Sequence, residues 1–242
     1  MTEIFNTVLY QPIFNLLVFL YNVVPGNDMA LAIIALTVII KLILFPLSLK
    51  SIKSQRALQN IQPKMQELKK KLTDQKEKLA SEMMKLYRDE KVSPFSSCLP
   101  LIIQLPFLLA VFQVFRTGLN DTSLELLYPF VQNPGHLNSV SLGLDLSQPN
   151  IILAVLTGAV QFWQAKMMIT KKQPSVPGAK DEKMLSMMNK QMVYFMPFFT
   201  VIIGMQLPAG LMIYWMTTTL LMVFQQYYIF GKDKKKTKES TS

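Results

Sequence analysis

Apolar and polar residues fall in long separate blocks along this chain. Five stretches are apolar and nearly free of charge: Ile4–Val24, Met29–Leu49, Leu99–Phe115, Asn150–Met168 and Met192–Phe230. A helix rises ~1.5 Å per residue and the hydrocarbon core of a bilayer is ~30 Å thick, so about 20 residues cross it. The pattern therefore predicts helices that span a membrane.

The last stretch is too long for a single crossing. Its 39 uncharged residues would form a helix of roughly 58 Å. The segment Gly204–Gly210 contains two glycines and Pro208, which favour a turn. We therefore predict two spans separated there.

The first stretch has a different pattern. Thr7, Gln11, Asn15 and Asn22 fall near i, i+4 spacing, and Pro12 lies among them. One polar face on an apolar helix is typical of a helix that lies in the membrane interface. A sixth span or an uncleaved signal is the alternative, and a cleaved signal is disfavoured because no basic residue precedes the stretch.

Composition agrees with a membrane protein that has basic polar parts. Half of the 242 residues are hydrophobic and 17% are charged, against about 25% charged in soluble domains. The net charge is +10. With Cys98 and His136 as its single cysteine and histidine, the chain offers no internal disulfide and little for a transition metal, so we expect no cofactor.

The distribution of lysine and arginine predicts the topology. Of 25 such residues, 12 lie in 50–91, six in 166–190 and five in 232–238, whereas 1–28 and 117–149 have none. Basic segments stay in the cytoplasm. The last apolar stretch then joins two cytoplasmic segments and must cross twice, in agreement with its length. The chain would cross five times, with its N-terminus outside and its C-terminus inside.

Together these patterns predict an all-α integral membrane protein with five transmembrane helices. Its segments would be an outer amphipathic interfacial helix (1–27), spans at 28–49, 96–116, 149–170, 191–206 and 208–230, a cytoplasmic helical hairpin (50–95), an outer loop (117–148), a cytoplasmic loop (171–190) and a basic cytoplasmic tail (231–242).

The segment 50–95 is charged and favours helix. Its first helix would continue directly from the preceding span, and Thr73-Asp74 would cap a second helix ending at about Asp89. Twelve basic and six acidic residues suit either a solvated helix pair or a docking surface for lipid head groups, ribosomal RNA or a nascent chain.

Lys41 is the most informative single residue. It lies 12 residues after Met29 and nine before Lys50, or ~18 Å and ~14 Å from the two ends of the predicted span. A lysine at mid-span costs ~2.5–3.5 kcal/mol and usually faces protein or a watery cavity. No apolar stretch contains Asp or Glu. We expect a hydrated, positively charged cavity; the alternative is a lysine that reaches the cytoplasmic head groups. Its polar neighbours would come from Gln104, Gln113, Thr157, Gln161, Gln164, Tyr214, Trp215 and Thr217–Thr219.

Missing residues argue against several classes. Coupled transporters usually carry carboxylates or broken helices at mid-membrane. Intramembrane aspartyl proteases need paired Asp, and serine or zinc proteases need a histidine, which this chain has only in its outer loop. No G-x-x-x-x-G-K-[ST] motif occurs. We therefore predict that the protein is not an enzyme.

Three stretches resemble the YidC/Oxa/Alb family of membrane protein insertases, in the short bacterial form without a large periplasmic domain. They are LTVIIKLILFPLSLKSIKSQRALQNIQPKMQEL (36–68), EMMKLYRDEKVSPFSSCLPLIIQLPFLLAVFQV (82–114) and LPAGLMIYWMTTTLLMVFQQYYI (207–229). The resemblance implies five spans around a hydrophilic groove that is open to the cytoplasm and closed to the outside. It also implies an outer interfacial helix and a cytoplasmic hairpin.

The resemblance also assigns groove residues. The family usually has Arg where this chain has Lys41, so the charge is kept and the planar fork is lost. Gln161 matches the polar groove residue of the third span, and Trp215, beside Tyr214, matches the aromatic of the fifth. Gln104 would line the same groove.

The implied function is insertion and folding of client membrane proteins without nucleotide hydrolysis. The expected partners are nascent membrane protein clients, the ribosome and membrane lipids at the bacterial plasma membrane, where the protein would act alone or with the Sec translocon. An anion channel or uncoupled transporter that uses Lys41, and a structural subunit of a membrane complex, are the alternatives.

Overall fold

The computed structural model describes residues 3–72, 75–93, 99–118, 121–141, 143–168 and 191–239. This part of the chain is mostly helical, in agreement with the predicted all-α class, and adds one short β-hairpin. The helices are α1 (Glu3–Val23), α2 (Met29–Ile43), α3 (Phe45–Lys71), α4 (Lys76–Asp89), α5 (Leu99–Gln113), α6 (Ile151–Met168), α7 (Met196–Gly204) and α8 (Ala209–Glu239), and the strands are β1 (Val140–Ser141) and β2 (Leu144–Asp145).

Helix α8 packs against both α2 and α6, while α6 also packs on α7 and α1 packs on α2. Their contacts bury a continuous apolar core that includes Phe14, Leu36 and Met212. Gly210 of α8 faces the ring of Phe115 so closely that a Cβ atom would clash with it. Backbone and ring therefore meet directly at the start of α8.

Helix α2 is shorter than the predicted span 28–49. The Asp28 carboxylate caps its start by accepting a hydrogen bond from the Leu31 N–H at 2.9 Å. The helix ends at Ile43, and α3 leaves at 69° to it. Pro46 in the first turn of α3 has no N–H to donate and its ring would clash with a preceding carbonyl. The expected direct continuation into the hairpin is therefore replaced by a bend at Leu44.

Helices α3 and α4 pack together as a helical hairpin. Lys64 of α3 forms an ion pair with Glu90, and the hydrogen bond and charge of Glu90 raise the pKa of Lys64. Helix α4 ends at Asp89, the expected residue. The predicted cap at Thr73-Asp74 lies outside the described residues.

Three helices begin at the same end of the bundle, beneath the loop 121–148. The Ser141 hydroxyl donates to the Asp28 carboxylate at 2.7 Å, which ties β1 to the start of α2. The Ala209 N–H donates to the Gln148 carbonyl at 2.8 Å, at the start of α8, and α6 follows the loop directly. We call this the capped end. Helices α2, α6 and α8 all run away from it.

Polar side chains of α1 hold this loop. The Asn15 amide donates to the Leu126 carbonyl at 3.1 Å and accepts from the Tyr128 N–H at 2.6 Å. Gln11 donates to the same Leu126 carbonyl, and Asn22 also bonds the loop. Three of the four polar residues that the sequence places on one face of α1 therefore bond the backbone of this loop.

Asn15→Leu should lower the unfolding temperature by roughly 5–10 °C. The side chain is buried, and its loss leaves the Tyr128 N–H without its acceptor, at a cost of about 2–3 kcal/mol. Thermal unfolding of the purified protein in detergent measures this. Asn22→Leu is the matched control, because Asn22 makes one exposed bond, to the Gln132 carbonyl. Equal shifts in both variants would show that Asn15 does not hold the loop.

The described helices differ in their capacity to cross a membrane. By length and composition, α1 qualifies alone, and α2 with α3 qualifies only as a bent pair. Shorter apolar helices cover Ile102–Arg116, Ile151–Met167 and Val193–Gly204. Helix α7 ends at Gly204 and α8 begins at Ala209, so the chain turns within the predicted segment Gly204–Gly210. The number of spans stays a prediction.

Candidate functional site

Lys41 lies on α2 with its side chain almost wholly enclosed, at 7% exposed. Its ammonium donates to the Gln104 side-chain oxygen at 3.3 Å. An ammonium has three N–H donors. Within the described residues, the Lys41 ammonium donates a hydrogen bond to Gln104. The positive charge thus has a neutral partner.

Gln104 connects α2 to α8 through α5. Its oxygen accepts from Lys41, which leaves its NH₂ group to donate to the Tyr214 hydroxyl at 2.6 Å. Tyr214 is 1% exposed. Three residues that the sequence analysis placed in one groove therefore form a single hydrogen-bonded chain, which we call the Lys41 chain.

The other two candidates, Gln161 and Trp215, make no side-chain hydrogen bond to the Lys41 chain within the described residues. Gln161 of α6 is half-buried, and its side-chain oxygen is enclosed without a hydrogen-bond partner in the described part of the molecule. Trp215 is half-buried and packs on the apolar core. Their assignment to a groove stays a prediction.

Lys41 and Gln161 lie well below the capped end. Lys41 is 12 residues into α2, or ~18 Å along its axis, and Gln161 is ten residues into α6, or ~15 Å. One turn above Lys41, the Thr37 hydroxyl donates a hydrogen bond to the Ile33 carbonyl at 2.6 Å.

The capped end, by contrast, is closed by hydrogen bonds within the loop 121–148. There, bonds from the hydroxyl and N–H of Ser147 and from Ser139 outweigh partial burial and lower the pKa of Asp145.

Gln226 was not predicted from the sequence as a functional residue. It is wholly buried in α8, and neither polar atom of its amide is paired in the described structure. The feature of the sequence that could have indicated it is the pair of adjacent glutamines, Gln225 and Gln226, in an otherwise apolar stretch.

No metal centre is evident in the described part of the chain, where no three His, Cys, Asp or Glu residues come together. The site can attract a negative charge and exchange hydrogen bonds.

Comparison with known proteins identifies similar chains. Residues 19–237 match the model of the family described as 60Kd inner membrane protein. The chain is 34% identical to the membrane protein insertase YidC of Fusobacterium nucleatum subsp. nucleatum over 226 residues, which cover 93% of this chain and 98% of that protein. It is 36% identical to the protein of the same name in Clostridium tetani over 201 residues, 83% of this chain and 81% of that one. The Actinobacillus pleuropneumoniae serotype 3 protein is 31% identical, and the match covers 37% of its length.

Proposed function

Because the chain belongs to the 60Kd inner membrane protein family, whose matched relatives are named membrane protein insertase YidC, we propose that it inserts client transmembrane segments into the plasma membrane. The observation that carries the mechanism is the enclosed lysine with a neutral partner. The family is one of inner membrane proteins, and nascent membrane proteins are the clients that it implies.

The barrier to insertion is the passage of a polar client segment through hydrocarbon. Each unsatisfied polar group costs several kcal/mol there. A charged and hydrogen-bonding surface part-way across shortens the dry path. Lys41 provides the charge, and Gln104 orients the ammonium without neutralising it. An acidic residue in the outward-going client segment would then be attracted to Lys41, while the client's apolar helix moves into lipid along α6 and α8.

Five spans surround this groove in our proposal, with the groove open to the cytoplasm, the N-terminus outside and the C-terminus inside. The basic residues outside the apolar stretches support this orientation. Exposed Tyr194, Tyr227 and Tyr228 suit the interfacial belt at the cytoplasmic face.

Helix α1 would lie in the outer interface. Its bonds to the loop extend from Gln11 to Asn22, which is 11 residues or ~16 Å of helix. A helix that crossed the bilayer would meet the loop at one end only. Apolar side chains such as Ile4, Val8 and Val23 remain exposed and would face lipid.

Short helices would lower the barrier further. The 15 residues of α2 before its bend extend ~22 Å, less than the ~30 Å hydrocarbon core. A bilayer adjusts to a short apolar segment by thinning locally. The polar path of the client would then be shorter.

Reconstitution tests the function directly. Purified protein in nucleotide-free liposomes should insert a single-span client with an acidic outward segment, as measured by protease protection. Empty liposomes and heat-denatured protein are the controls. Insertion no better than in empty liposomes would refute an autonomous insertase and require the Sec translocon or another partner.

The ribosome, the Sec translocon and lipids are further proposed partners. The basic tail 231–242 and the charged hairpin α3–α4 would contact ribosomal RNA or anionic head groups.

An anion channel at Lys41 and a structural subunit of a membrane complex are weaker alternatives to the insertase. Conductance in a planar bilayer would identify the channel, and the loop that covers the capped end argues against an open path.

A further inference from the structure

Gln226 carries a buried amide in an apolar part of α8, where packing alone does not explain a polar side chain. It lies on the inward face of α8 between Val223 and Ile229, which are 3% and 7% exposed, and is itself 0% exposed. Neither its oxygen nor its nitrogen has a partner within the described residues. An apolar residue of similar size would be favoured at such a position if packing alone mattered.

Gln226 lies on the same helix as Tyr214 of the Lys41 chain, farther from the capped end. It is 17 residues into α8, or ~26 Å from the capped end, whereas Tyr214 is five residues in, or ~8 Å. Ser51, just beyond the bend at Leu44, likewise has an enclosed hydroxyl with no partner in the described structure. At the capped end, by contrast, Asn15 and Ser141 are both hydrogen-bonded. The unsatisfied Gln226 and Ser51 thus lie away from the cap.

We propose that Gln226 binds the peptide backbone of the client segment as it enters from the end opposite the cap, before that segment reaches Lys41. This proposal rests on the proposed insertase function. A primary amide offers one acceptor and two donors, which match the C=O and N–H of an extended peptide unit. Because it is neutral, it would accept any sequence, whereas Lys41 favours acidic ones.

The test uses the full-length protein in liposomes and a single-span client whose outward segment is polar and uncharged, so that Lys41 contributes little. Gln226→Leu should lower the initial rate of insertion about fivefold, the effect of losing one hydrogen bond, and should leave the unfolding temperature unchanged or raised. Gln226→Asn should retain part of the rate. Thr200→Val is the matched control, because that buried hydroxyl, on α7, is already satisfied by the Met196 carbonyl at 3.0 Å.

Two results would overturn the proposal. One is a wild-type rate in Gln226→Leu, and the other is a loss of rate that follows a lowered unfolding temperature, which would mean a packing role. Failure of the wild-type protein to insert any client would instead refute the proposed function itself.

A labelling experiment covers the case in which Gln226→Leu does not fold. In a Cys98→Ser background, Gln226→Cys should react with a small neutral methanethiosulfonate, and a client arrested during insertion should slow the reaction at least threefold. Equal reaction with and without the client, or no reaction of the cysteine at all, would show that the client does not reach Gln226, and the proposal would be wrong.

Discussion

Lys41→Glu should abolish insertion of a client whose outward-going segment is acidic. At ~8 Å and an effective dielectric constant of ~20, one pair of charges contributes about 2 kcal/mol. Reversing the sign at Lys41 changes this by about 4 kcal/mol, on the order of a thousandfold in rate. Protease protection of the client in liposomes would fall below detection. Lys41→Ala removes the attraction alone and should lower the rate about 30-fold.

The controls separate charge from folding. Lys41→Arg keeps the charge and restores the side chain usual in the family, so it should stay within about threefold of the wild type. A client with a neutral outward segment should be inserted by Lys41→Ala at nearly the wild-type rate. If all four proteins insert the acidic client equally, the electrostatic mechanism fails, and hydration of the groove or thinning of the bilayer must account for activity.

Gln104→Glu should inhibit the same acidic client by about 30-fold without destabilising the protein. The substitution preserves shape but places a carboxylate at the 3.3 Å position beside the Lys41 ammonium. An enclosed charge that gains an opposite partner is stabilised, so the unfolding temperature should be unchanged or higher. The lysine would then be neutralised internally, and its ~2 kcal/mol attraction for the client would be lost.

Gln113→Glu is the matched control for this substitution. Gln113 lies on the same helix, nine residues beyond Gln104, and its amide donates to the Asn6 side-chain oxygen of α1 at 3.4 Å. It should insert the acidic client at nearly the wild-type rate. Equal loss of acidic and neutral clients in Gln104→Glu would indicate a general disturbance of packing and would contradict the charge mechanism.

Much of the fold could be predicted because helices and turns depend on residues that are neighbours in the sequence. Apolar runs and their lengths predict the helices, and Gly204–Gly210 predicts the turn between α7 and α8. The family assignment from three motifs is confirmed by a match over 19–237. The bend at Leu44 was missed although Pro46 was visible, because a proline in an apolar stretch can either kink a helix or begin the next one.

The site was predicted less completely. Lys41 is conspicuous as a lone charge in a long apolar stretch. Gln104 and Tyr214 were expected nearby, but no pattern indicated that they bond each other or that Gln104 is the partner of Lys41. Gln226 gave a weaker signal, since glutamine is mostly found exposed and the sequence did not show that this one is enclosed.

The sequence by itself determined the kind of protein, the positions of its helices, the family and the buried charge, since each depends on runs of residues that chain order records. Only the tertiary structure decided which polar group satisfies which other. The Lys41–Gln104 bond joins residues 63 positions apart, and the Gln104–Tyr214 bond joins residues 110 apart. Such pairs form because helices pack side by side and exclude water, and a polar side chain enclosed there must bond whichever neighbour the packing brings within reach.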